Sequence, residues 1–325
     1  MSIAQPSGAG GPGAEDEPRL ASVLVAFAAI YLVWGSTYLA ILWAIESIPP
    51  IFMAAVRFLV AGGLLLAWQR LRGAPLGTLR QWKAAAIAGG LLIVGGNGAV
   101  VVAEQWVPSG LTALLVSSVP LWMVLLDTLF GSRRAPSGRA IVGLMVGFAG
   151  VATLAGSPGV GAGGPQELFG GMIVMGGAMS WAAGSIYSRH VRDLPPAGVW
   201  VAMQMLSGGV LLAIVSVALG EPAEVVIASI TAKSVLALLY LIFFGAIVGY
   251  SAYIWLLRVV APARIATYAY VNPVVAMVLG WALADEPLTG RSMFAAAVIL
   301  VAVVLITTEA APNRGVVASG RASRR

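Results

Sequence analysis

The sequence predicts an all-α polytopic membrane protein: ten transmembrane helices in two inverted five-helix repeats, with both termini cytoplasmic. Three observations predict it: an apolar composition, ten apolar segments with short polar joints, and a register of matching residues between the two halves. Apolar side chains make up 59% of the 325 residues and charged ones only 10%, against about 25% in an ordinary soluble domain. With a mean hydropathy of +0.93 over the whole length, too little polar surface exists to wet a soluble fold, and lipid is required as solvent.

The elements follow in chain order. Residues 1–19 are rich in Gly, Pro, Ala and Ser and carry Glu15, Asp16 and Glu17, a composition that cannot bury a core and reads as a disordered polar tail. Its acidic start and the long apolar run behind it exclude a secretory signal peptide. Cutting at polar and Pro/Gly breaks gives spans at 20–43, 50–70, 83–104, 108–130, 139–156, 168–189, 197–219, 234–257, 263–284 and 291–309, each near the length a bilayer crossing needs. Residues 310–325 form a basic tail with Arg314, Arg321, Arg324 and Arg325. With the N-terminus inside, the cytoplasmic joints and tails collect all but three of the 19 Lys and Arg residues, the exceptions being Arg57, Lys233 and Arg291. Cytoplasmic loops retain positive charge, so both termini are placed in the cytoplasm.

Self-similarity sets the architecture. Trp34 and Trp181, each followed by small residues, lie 147 positions apart. Pro49-Pro50 matches Pro195-Pro196 at 146, Gly62-Gly63 matches Gly208-Gly209 at 146, and Pro120 matches Pro273 at 153. The chain therefore divides into a first repeat at 20–156, a linker loop at 157–167 and a second repeat at 168–309. Five spans per unit is an odd number, so the second copy enters from the opposite face, and inverted repeats of this kind are a transporter arrangement.

In such folds the solute site lies near the bilayer centre, between the repeats. Counting about 1.5 Å per helical residue from the span ends puts Trp34, Asn97, Pro120, Trp181, Tyr250 and Asn272-Pro273 in one layer. Trp34 and Trp181 are too deep for an interfacial belt, and their indole N–H groups need acceptors. Asn97 lies among glycines that permit close approach, and its amide serves either a solute or a helix–helix hydrogen bond. Asn272 lines a cavity or caps a helix break at Pro273. Tyr38 and Tyr250 line the same layer or pack within it. Pro120 and Pro273 are read as helix breaks that free the carbonyls of Val116 and Ala269. Arg57 sits within the second span. It either anchors the structure by snorkelling or pairing with Glu46 or Glu104, or attracts a solute carboxylate or holds a gate. Asp127, beside Arg133 and Arg134, reads as an interfacial ion pair.

Several function classes are excluded. With no cysteine and a single histidine, His190, the chain lacks the donors for a metal or iron–sulfur centre, and no cofactor is expected. No P-loop, H-E-x-x-H or G-x-S-x-G pattern is present, so ATP-driven transport and common hydrolase chemistry have no residues to run on. Gly8-x-Gly10-x-x-Gly13 and Gly159-x-Gly161-x-x-Gly164 match a dinucleotide fingerprint, but neither follows a strand. Gly143-x-x-x-Gly147 and Gly245-x-x-x-Gly249 match the close-approach pattern of membrane helices, for packing or dimerisation.

The order of these short motifs resembles the drug/metabolite transporter superfamily, specifically its ten-helix EamA-type exporters. The resemblance is carried by Trp34-Gly35-Ser36-Thr37-Tyr38, Arg57-Phe58 with Ala61-Gly62, Pro120, Asn272-Pro273 and Asp285-Glu286-Pro287. Where the first repeat of that family often has Gly-Glu, this chain reads Gly131-Ser132-Arg133-Arg134, so no role for that acid carries over. The resemblance implies a bacterial inner-membrane exporter of amino acids, related metabolites or drugs, working by alternating access. Aromatic and neutral amino acids are the leading substrates, as monomer or weak homodimer, without nucleic acid partners. A passive channel and an enzyme acting on lipid are the competing readings, the latter weakened by the lack of clustered His, Asp or metal ligands.

Overall fold

In the computed structural model, residues 20–107, 109–130, 138–155 and 164–283 are described, with 290, 293–294, 297–298, 301–302 and 305. The tails, residues 157–163 of the linker, Arg133-Arg134, Asp285-Glu286-Pro287 and most of the last predicted span lie outside the described residues, as does the side chain of Asp127. All regular structure among the described residues is helical. The helices are α1 (Leu20–Ile45), α2 (Pro50–Leu71), α3 (Leu79–Ala103), α4 (Ser109–Val116), α5 (Val119–Phe130), α6 (Gly138–Ala155), α7 (Gly164–His190), α8 (Ala197–Leu219), α9 (Ala232–Val259), α10 (Pro262–Ile265) and α11 (Tyr268–Leu283). Six of them, α1, α2, α3, α7, α8 and α9, are individually long and apolar enough to cross a membrane.

Helix starts are written in local chemistry. The Thr78 hydroxyl accepts from the backbone N–H of Gln81 at 3.3 Å, and the Gln81 carboxamide accepts from the Thr78 N–H at 2.8 Å, which satisfies two otherwise orphaned donors at the start of α3. At the start of α9 the Thr231 hydroxyl accepts from the Ser234 N–H at 3.1 Å, and the Thr231 N–H donates to the Ser47 hydroxyl at 3.1 Å. Residues 78 and 231, like 81 and 234, are 153 apart, the spacing already seen between Pro120 and Pro273. The start of α2 is capped from a distance. Glu221, in a short turn after α8, accepts from the N–H groups of Ile51 (3.1 Å) and Phe52 (2.7 Å) and from the Ser216 hydroxyl (2.9 Å). A carboxylate at a helix N-terminus gains both hydrogen bonds and dipole stabilisation.

Packing is between the halves more than within them. α1 packs on α9 and α11, and α7 packs on α3, α4 and α5, while α2 lies along α8. The buried core, from Phe58 and Ile93 to Trp200 and Tyr253, is thus made at the seam of the two halves. Both α3 and α9 widen into π-helical turns midway, at Gly90–Gly98 and Leu241–Tyr250. In such turns the backbone bonds i to i+5 and carbonyls become available to side chains. Ser180 of α7 donates to the Leu91 carbonyl at 2.8 Å, and Trp34 of α1 donates to the Gly245 carbonyl at 3.0 Å.

Two sequence expectations about breaks come out differently. Pro120 is the second residue of α5, just after the chain interrupts at Ser117-Ser118. Pro273, by contrast, lies inside the continuous helix α11, and the interruption falls earlier, at Ala266-Thr267. Turn bonds from Ala269 N–H to the Ala266 carbonyl (3.1 Å) and from Tyr270 N–H to the Thr267 carbonyl (3.0 Å) start the new helix there, so the proline is carried within it. The α7 helix also begins at Gly164, inside the stretch expected to be loop.

Candidate functional site

The six residues expected to meet a solute come together. Trp34 and Tyr38 of α1, Asn97 of α3, Trp181 of α7, Tyr250 of α9 and Asn272 of α11 all line one cavity, together with Arg57 and Phe58 of α2, while Pro120 is not among its lining residues.

One end of the cavity is an aromatic cage. The ring of Trp34 lies edge-to-face against Trp181 (5.5 Å between centroids) and Tyr268 (5.1 Å), and tilted against Tyr253 (5.1 Å). Both indole N–H groups find the acceptors that burial demands, Trp34 on the Gly245 carbonyl and Trp181 on the Tyr253 hydroxyl at 2.9 Å. Tyr253 is also joined to the Ser185 hydroxyl at 2.6 Å. Glycines of the π turns make room for these rings. A Cβ added at Gly96 would lie 2.6 Å from the Trp181 ring, and one at Gly249 would overlap the Trp34 indole. The Gly245-x-x-x-Gly249 pair therefore faces inward, with Gly245 against Arg57 and Thr37, rather than serving contact between molecules.

The polar groups divide into spent and unspent. Tyr250 donates to the Gln204 carboxamide at 2.7 Å. The Asn272 amide, oriented to suit its surroundings, donates to the carbonyls of Tyr268 (3.0 Å) and Tyr31 (3.2 Å) and so ties α11 to α1. Asn97 is different: its side-chain oxygen, on the cavity wall, is buried without a hydrogen-bond partner among the described residues. Nε and Nη1 of Arg57 and both carboxylate oxygens of Glu104, residues only 2% and 4% exposed, are likewise without a partner among the described residues. Arg57 rests instead on the Phe58 ring, 4.8 Å from its centroid. Glu104 caps α3 one turn beyond Val100, which lines the cavity.

The expected partners of Arg57 need correction. Glu46 is at the surface and pairs with Lys233 at 2.6 Å, because the α1–α2 turn meets the start of α9 there. Glu104 is within electrostatic reach of Arg57 but makes no ion pair with it among the described residues. Sequence reasoning missed the lining role of Phe58 and the bracing role of Gln204; Tyr253 and Tyr268 read from the sequence as packing residues, and of these Tyr268 also lines the cavity. No group of three or more His, Cys, Asp or Glu residues able to hold a metal occurs among the described residues.

Comparison with known proteins gives the same architecture a family. The profile of the EamA-like transporter family matches residues 20–156 and again 168–308. The chain belongs to that family. This EamA-like transporter is 43% identical over 290 residues to the uncharacterized inner membrane transporter YedA of Escherichia coli K12, covering 89% of this chain and 92% of that one. It is 25% identical over 283 residues to a probable amino-acid metabolite efflux pump of the same organism, covering 83% and 90%. A solved crystal structure superposes with a TM-score of 0.73 at 22% identity, covering 90% of this chain and 100% of the other, a likeness of fold. The EamA-like transporter is accordingly a two-repeat, multi-pass protein of the bacterial inner membrane that moves a small molecule, and its family and relatives are described as transporters, not enzymes.

Proposed function

We propose that this EamA-like transporter is a secondary exporter of small amphipathic metabolites, with neutral and aromatic amino acids first among them. It works by alternating access of two inverted five-helix repeats, whose ten spans leave both termini in the cytoplasm. The observation that carries the reading is the convergence of Trp34, Tyr38, Asn97, Trp181, Tyr250 and Asn272, from five helices of both halves, on one aromatic-walled cavity. A solute held there touches both repeats, so any rocking of one against the other changes which side it can reach. The distribution of Lys and Arg supports the orientation, and the likeness to an amino-acid metabolite efflux pump supports the substrate class.

The test is counterflow in liposomes preloaded with unlabelled neutral and aromatic amino acids, with and without a pH gradient. Saturable uptake of the labelled compound is expected, and Asn97→Ala should cut it about tenfold, the loss of one hydrogen bond to a charged or strongly polar group, with little change in thermal unfolding. Absence of counterflow across the panel would move the substrate to drugs or other metabolites. Flux that never saturates would replace the carrier by a channel.

A further inference from the structure

We propose that Arg57 and Glu104 form a binding subsite for a zwitterionic head group, in which a carboxylate of the solute meets the guanidinium and an ammonium of the same solute meets the Glu104 carboxylate. The inference deepens the export reading above and rests on it for the direction of transport alone.

The argument starts from an imbalance. Two ionisable side chains of opposite sign lie deep in the protein, at 2% and 4% exposure, on helices that pack together, α2 against the end of α3, and no ion pair joins them among the described residues. Nε and Nη1 of Arg57 and Oε1 and Oε2 of Glu104 have no hydrogen-bond partner among the described residues. Buried charge without partners is costly, so a protein that only needed an anchor would close the pair or replace it with apolar packing. The second half of the chain does the latter. In the registers already established, 146 for α2 with α8 and 153 for α3 with α9, the equivalents of Arg57 and Glu104 are Met203 and Leu257, both fully buried.

The open pair also sits at the edge of the cavity. Arg57 lines it, and Glu104 ends α3 one turn beyond Val100, another lining residue. A group that satisfies a guanidinium and a carboxylate together must carry both charges close to each other. An α-amino acid does so on one carbon, with a planar carboxylate suited to the guanidinium fork. The aromatic cage of Trp34, Trp181 and Tyr268 then takes the side chain, because the cavity continues from Arg57 to those rings. A lone cation would leave Arg57 unpaired beside a second positive charge, and a lone anion would do the same to Glu104.

Binding to the purified, full-length protein in detergent separates these cases by calorimetry and ligand-dependent thermal shift. The probes are phenylalanine, phenethylamine, which lacks the carboxylate, and 3-phenylpropanoate, which lacks the ammonium, with leucine, 3-methylbutylamine and 4-methylpentanoate as an aliphatic set. Wild type is expected to bind the zwitterion of at least one set roughly ten- to hundredfold more tightly than either singly charged analogue, the worth of one charged hydrogen-bonded contact. Arg57→Gln should abolish the preference over the amine, and Glu104→Gln the preference over the carboxylic acid. Equal binding of all three members of a set, preference for the amine or the acid alone, or no binding by either set at millimolar concentration would overturn the subsite. A uniform loss across a set in both variants would also overturn it, since a purely structural pair acts that way. Zwitterion-selective binding without amino-acid counterflow would leave the subsite standing and remove the export reading.

Discussion

Trp34 and Trp181 occupy equivalent places in the two repeats, yet their indoles are spent on different partners. Trp34 donates to a backbone carbonyl within the π turn of α9, whereas Trp181 donates to the Tyr253 hydroxyl, a side chain already joined to Ser185. Their seats match more closely than their bonds. Gly96 receives the Trp181 ring and Gly249 receives the Trp34 ring, and these glycines are 153 residues apart. Asn97 and Tyr250, at the same spacing, both line the cavity. The repeat therefore sets the scaffold twice, with a widened helix and a ring inserted from the other half, while polarity is set once. At the positions equivalent in the repeat register, the first half brings Arg57 and Glu104 where the second has apolar Met203 and Leu257, and Glu221, a buried acid of the second half, is spent on capping α2. A cavity built this way has like scaffolds on its two sides and unlike chemistry.

The largest effects should come from the shared seats. Gly96→Val and Gly249→Val each force a buried indole out of a packed cage, an overpacking expected to cost about 3 kcal/mol or more. Thermal unfolding in detergent should show both variants strongly destabilised, and tolerance of one but not the other would break the equivalence of the two seats. Smaller and unequal effects are expected at the rings themselves. Trp34→Phe leaves the Gly245 carbonyl buried without its partner and should cost about 1–3 kcal/mol. Trp181→Phe leaves Tyr253 still bound to Ser185 and should cost under about 1 kcal/mol. The same unfolding measurement sharpens the comparison, and a reversed order would show that the indole–carbonyl bond is not what holds α1 to α9. The smallest effect belongs to the surface. Lys233→Gln removes the exposed pair with Glu46 and should change stability by less than about 0.5 kcal/mol and leave counterflow unaltered. A clear transport defect there would return Glu46 to the mechanism.

How much of this was legible in the sequence depends on the range of the interaction. Convergence was legible: Trp34, Asn97, Trp181, Tyr250 and Asn272 fall in one layer when counted from the span ends, and they face one cavity. Partners were less so. The Glu46–Lys233 bridge joins residues 187 positions apart, and nothing near Glu46 names Lys233 over Arg57. The π turns were hidden because Gly95-Gly96-Asn97-Gly98 reads equally well as a packing interface. Pro273 was read as a break because a proline removes one backbone bond, but the chain places its interruption at Ala266-Thr267 and lets the Asn272 amide serve the neighbouring Tyr268 carbonyl instead.

The sequence by itself determined the solvent, the helical class and the doubling of the unit, because lipid forces every backbone polar group into local hydrogen bonds and leaves hydropathy and spacing as a direct record of the spans. Tertiary structure alone decided which faces meet. The core lies at the seam between the halves, so its contacts join residues far apart in the chain, where no local pattern constrains them. Those contacts fix which indole reaches a carbonyl, which acid finds a lysine, and which two charges stay open.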